Sequence, residues 1–123
     1  MSRVTRADFE KFKVHCSVWR TKLGLHNWAL FFELADTDNS YATTHWRTSD
    51  HAATIQLCKK WDDMRPLNNM ELERVAIHEL CHIVLAPLVS EAEYRYSTSE
   101  AIQSTEHSIV RLLEEVLLGE SNA

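Results

Sequence analysis

The chain has 123 residues and a mass of 14.3 kDa, enough for one domain with one hydrophobic core and too few for two. Apolar residues at 45% and charged residues at 25% exclude a disordered tail, and a net charge of −5 argues against a protein that coats phosphate backbones. The longest stretch free of Asp, Glu, Lys and Arg is residues 80–90, about half of what a membrane span requires. Residues 1–8 carry charge but no apolar run, so neither a span nor an export signal is expected. Cys16, Cys58 and Cys81 are odd in number and far apart, which fits reduced, buried thiols in the cytoplasm.

The first predicted element is a helix. Thr5 caps it, Asp8 sits three residues on, and Val4 and Phe9 occupy the places of a hydrophobic staple. Phe9, Phe12, Cys16, Trp19 and Leu23 recur at three- and four-residue steps and give it one apolar face, and Gly24 stops it. From Asn27 the period becomes two, with Trp28, Leu30, Phe32 and Leu34 on one side of a strand. Residues 36–40 read as a turn; their Asp-x-Asp start lacks the Gly and distal Glu of a calcium loop, Tyr41 and Arg47 standing in those places. Strands are expected over Tyr41 to Thr48 and Ala52 to Lys59, with Ala53, Ile55 and Leu57 facing the core. Short connections predict an antiparallel meander, and Trp61 to Leu67 reads as a loop.

A second helix opens at Asn68, with Glu71 as its capping partner and Leu67 and Leu72 as a staple. Residues 75–85 are apolar nearly all round, so this helix belongs in the core, and Pro87 is expected to end it. After a connector over Leu88 to Thr98, Ser97 and Glu100 form a capping box for a last helix reaching about Leu118 before Gly119. Ile102, Glu106, Ile109, Val110, Leu113 and Leu117 are its expected inner face. The fold class is therefore α+β, a single domain over residues 1–123.

The informative part of the buried helix is His78-Glu79-Leu80-Cys81-His82. Positions i and i+4 stand one above the other, about 6 Å apart along the axis, so both imidazoles can reach one Zn²⁺. Glu79 leans beside that ion rather than onto it, where it can take a proton from a water the metal activates. Seven histidines and twelve glutamates in this chain give about 0.04 such His-Glu-x-x-His matches by chance. Burying three polar groups in five residues without a shared partner is costly, which weighs against two merely packed histidines.

A catalytic zinc takes three protein ligands. Leu85 and Leu88 stand where the metzincin extension needs Gly and His, so that class is excluded. Glu106, a carboxylate on an otherwise apolar face, is the expected third ligand; His107 is its alternative, with Glu100, Glu93 and Asp63 behind them. Tyr94, Arg95, Tyr96 and His107 are the available donors for an oxyanion. Cys81 reads as a core thiol, and the remaining histidines and the four tryptophans as surface, sheet or core residues.

The His78–His82 motif, the Glu106-His107 segment and the order of elements resemble a minimal gluzincin-type metallopeptidase, above all the small zincin-like proteins of phages and prophages. The resemblance covers about the last third of the chain; the first two thirds agree in element order alone. It implies one Zn²⁺ held by His78, His82 and Glu106, with Glu79 as general base in peptide-bond hydrolysis. It implies a protein or peptide substrate, bound along an edge strand expected at Ala52 to Cys58, and a host-cell cytoplasmic location if phage-encoded. Other readings are a zinc-stabilised protein-binding module without turnover, a SprT-like DNA-associated protease, and a repressor-cleaving regulatory protease. No Lys/Arg cluster supports nucleic-acid binding.

Overall fold

The computed structural model describes residues 2–37 and 39–121, and for residues 114 and 117–121 the backbone alone. The elements in chain order are β1 (Ser2–Arg3), α1 (Arg6–Lys22), β2 (Ala29–Ala35), β3 (Ala42–Arg47), a 3-10 turn (Thr48–Asp50), β4 (Ala52–Cys58), β5 (Lys60–Trp61), α2 (Asn69–Glu93) and α3 (Ser99–Ser121). This is the expected α+β class.

The start of α1 follows its sequence closely. Asp8 N–H donates to Thr5 Oγ1 at 3.1 Å and Thr5 N–H donates to Asp8 Oδ2 at 2.9 Å, a reciprocal cap. Its end is a paired-carbonyl stop: Leu25 N–H reaches Arg20 O at 3.0 Å, Gly24 N–H reaches Thr21 O at 3.2 Å, and Gly24 takes φ +71°. A Cβ at residue 24 would also stand 2.9 Å from Leu112 Cδ1 of α3. Gly24→Ala is therefore expected to lower stability by about 1–2 kcal/mol. Urea denaturation followed by circular dichroism checks this; an unchanged midpoint contradicts it.

The sheet differs from a meander. Its order is β2-β4-β3, with β2 and β4 parallel (Ala29↔Ala52 to Ala35↔Cys58) and β3 and β4 antiparallel (Ala42↔Leu57 to Arg47↔Ala52). The link over residues 36–41 strides past one strand position, about 10 Å, and β4 then turns back through the 3-10 turn and His51 (φ 48°) into the gap. A parallel pair arises without a helical crossover because β3 itself is the crossover. The centre falls to β4 because it buries the most, with Ala53, Ile55, Leu57 and Cys58 all inside. It follows that Ala52–Cys58 is not the edge strand; β2 and β3 are the edges. Residues 60–61, expected as loop, pair with residues 2–3 as a second small antiparallel sheet that seals Trp61 into the core. Asp38 of the expected turn lies outside the described residues.

Asn68 caps α2, its Oδ1 accepting from Glu71 N–H at 2.9 Å, but the Glu71 carboxylate turns to Arg65 (3.4 Å) and Arg74 (3.9 Å) rather than back to the cap. Pro87 does not end the helix, which runs on to Glu93. An internal proline costs roughly 3 kcal/mol; the burial of Ile83, Val84 and Ala86 around it outweighs that. By length and mean hydropathy α2 is apolar enough to cross a membrane. Here it is the core helix, with Leu72, Ala76, Leu80 and Ile83 at most 1% exposed.

The last helix is capped by Thr98, whose Oγ1 accepts from Ala101 N–H at 3.1 Å, while Ser97 Oγ donates to Glu91 Oε1 at 2.6 Å. Its inner row is Ile102, Thr105, Ile109, Leu112 and Val116, and Val110 and Leu113 are exposed. The expected face was thus misphased by about a quarter turn, because Glu106 and Val110 were grouped with Ile109 in place of Thr105 and Leu112. The side chain of Leu117 lies outside the described residues.

Candidate metal centre

Helix α2 has two unlike faces. Leu72, Val75, Glu79 and Ile83 form an inward row and are buried, whereas Arg74, His78, Cys81, His82, Leu85 and Val89 form a solvent-open stripe. The His-Glu-x-x-His spacing divides itself between these faces. His78 and His82 reach solvent, with ring centroids 5.0 Å apart and planes at 76°. Glu79 is 4% exposed.

That buried carboxylate is answered from the sheet. Thr44 of β3 donates its hydroxyl to Glu79 Oε1 at 2.7 Å. Thr44 pairs with Ile55, which is fully buried, so it sits on the helix-facing side of the sheet, a polar residue at an inward position. Glu79 Oε2 lies 4.0 Å from His78 Nε2. Behind Glu79 is Cys16 of α1, fully buried, its thiol pushed up to about 12 by burial and by the neighbouring carboxylate. A neutral thiol there adds no charge against Glu79.

Ligand atoms of His78, Glu79 and His82 all lie within 4.8 Å of one another, and they are the one such group among the described residues. Two imidazole nitrogens on one tetrahedral ion stand about 3.3 Å apart. Both rings are exposed and can turn that far. The donor set therefore fits a divalent ion of the class that accepts imidazole, in which zinc falls.

The other expected site residues do not join this group. Glu106 and His107 are both exposed on α3. Glu106 lies on the flank of α3 away from Ser104 and Ser108, which face the α1–β2 loop across a cleft. It is open to solvent, as the two histidines are, and not on an apolar inner face. Tyr94 and Tyr96 pack edge-on at 5.9 Å in the connector between α2 and α3, with Arg95 over the Tyr96 ring, and neither lines the cleft beside His78. Cys81 is exposed, so it is not a core thiol.

Two contributors were missed in the sequence. Thr44 was detectable as a polar residue in register with Ala42 and Trp46 on a strand's inward side. Arg65, which lines the cleft beside His78 and Glu79, sits in a loop whose local pattern carries no such signal. No protein-family model, no curated protein and no solved structure matches the chain.

Proposed function

We propose that this domain is a metal-dependent peptidase in which His78 and His82 hold one zinc ion and Glu79 is the general base. The observation that carries the reading is the division of the motif: two imidazoles open to solvent on successive turns, and between them a buried carboxylate oriented by a hydroxyl. A packed pair of histidines would need neither that exposure nor that acid.

A zinc ion, when bound, supplies Lewis-acid activation of water and of the scissile carbonyl. The protein supplies the rest. Thr44 engages Glu79 Oε1, which leaves Oε2 on the His78 side to accept a proton from the attacking water and to return it to the leaving amine. Val75 and Ala42 give the cleft beside the carboxylate an apolar wall. The free edge of β3, the strand that reaches α2 through Thr44, is where an extended peptide can add as a further strand.

The test is metal content by plasma mass spectrometry on the protein reconstituted with zinc and desalted. We expect about one zinc per chain in the wild type, and less than about a tenth of that in His82→Ala. Glu106→Ala, outside the group, is expected to keep its zinc. Zinc lost in Glu106→Ala would add that residue to the ligand set, and no zinc in the wild type removes the reading.

A further inference from the structure

We propose that the cleft beside His78 and Glu79 is a recognition pocket for a carboxylate, with Arg65 as its specificity-determining residue. On the reading given above, it selects peptides with Glu or Asp next to the scissile bond; that choice of substrate rests on the reading, whereas the carboxylate site itself does not. The cleft encloses about 260 Å³ between the start of β3, the loop before α2 and α2 itself.

Arg65 is the cleft's cation and Glu79 its carboxylate among the lining residues. The Glu79 side chain is 6% exposed and tied to Thr44, whereas the Arg65 side chain is 34% exposed, so an entering anion meets the guanidinium first. Its Cζ lies over the Tyr41 ring, 4.9 Å from the centroid, a cation–π contact that holds the guanidinium at the cleft wall, where its N–H groups can meet a carboxylate as a fork. Glu71 forms an ion pair with it, Oε2 lying 3.4 Å from Nη1, and is shared with Arg74 at 3.9 Å. Asp62 also acts on Arg65, so two guanidiniums meet two carboxylates here, but Arg65 is the member of that set that lines this cleft. The nearby Asp62 accepts from Tyr41 Oη and Met64 N–H, is fully exposed, and lines the adjacent cleft rather than this one.

Ser40 supplies an independent indication. It stands between this cleft and the adjacent one, lining both, and its hydroxyl is buried with no hydrogen-bond partner among the described residues. A buried donor left unanswered is destabilising and rare in folded proteins. A carboxylate accepting from Ser40 Oγ and from the Arg65 fork satisfies both.

The test uses the whole metal-free chain and two probes, acetyl-Ala-Glu-Ala-amide and its Gln counterpart, titrated while amide shifts are followed by NMR. The expected result is movement of the Tyr41, Ala42 and Val75 amides, with the Glu peptide binding at least about fivefold tighter than the Gln peptide. Arg65→Met should erase the difference and Ser40→Ala should reduce it. Ser40→Ala leaves Glu71 its partners, so it reports on the pocket even if Arg65→Met loosens the loop. Equal binding of the two peptides, a preference for Gln, or no shift at these amides overturns the proposal. Zinc content is read separately, so a wild type that holds no zinc but prefers the Glu peptide defeats the peptidase reading and leaves the pocket standing.

Discussion

Glu79→Gln protein, loaded with zinc, is expected to cleave a mixed peptide library about 10²- to 10⁴-fold more slowly than wild type while holding the same zinc. The substitution keeps the shape of the side chain, and its amide oxygen still accepts from Thr44, so the interior meets an almost unchanged neighbour. What it removes is the second oxygen's capacity to take a proton beside His78. Cleavage products are read by mass spectrometry, and metal content in the same samples. Cleavage at the wild-type rate would show that Glu79 is a buried structural acid and that the base lies elsewhere.

Trp61→Ala is expected to cost about 3–5 kcal/mol, against roughly 6–18 kcal/mol of total stability for a domain of this size. The ring is fully buried and meets Tyr41 edge-on at 5.0 Å. Its backbone is held by pairing with Ser2, so truncation empties a space that the chain cannot readily collapse into. Trp61 Nε1 has no hydrogen-bond partner among the described residues, so Trp61→Phe removes an unanswered donor along with part of the ring. That variant should fall within about 1.5 kcal/mol of wild type. Guanidinium denaturation followed by circular dichroism separates the two, and equal losses would place the cost in the strand pairing instead.

Local chemistry carried much of this fold on its face. The Thr5–Asp8 cap, the Gly24 stop, the Asn68 cap and the two-residue period of β2 and β4 are interactions within a few residues, and a sequence displays them directly. What needed the folded chain was whatever depends on distant partners. The parallel pairing of β2 with β4, the pairing of Ser2 with Trp61, and the passage of α2 through Pro87 are decided by burial against elements far along the chain. The same division holds for the candidate site. His78, Glu79 and His82 form a motif within one turn and a half of helix and were legible, whereas Thr44 and Arg65 reach the site from other elements. Glu106 shows the cost of reading a helix face too finely. Grouping it with Ile109 and Val110 set the phase of α3 wrong, because the small polar Thr105 was passed over as an inner residue.

The seating of α1 on α2 sets a timetable for the newly made chain. His15 and Trp19 bond Asn69 and Glu73, partners 54 residues downstream, and Cys16 lies beside Glu79. A ribosome adding about 5–20 residues per second takes roughly 3–11 seconds to supply them. For that interval Phe12 and Cys16 have no core to enter. The N-terminal helix therefore waits, amphipathic and unpaired, until the motif helix emerges, and assembly of the site coincides with the burial that finishes the fold.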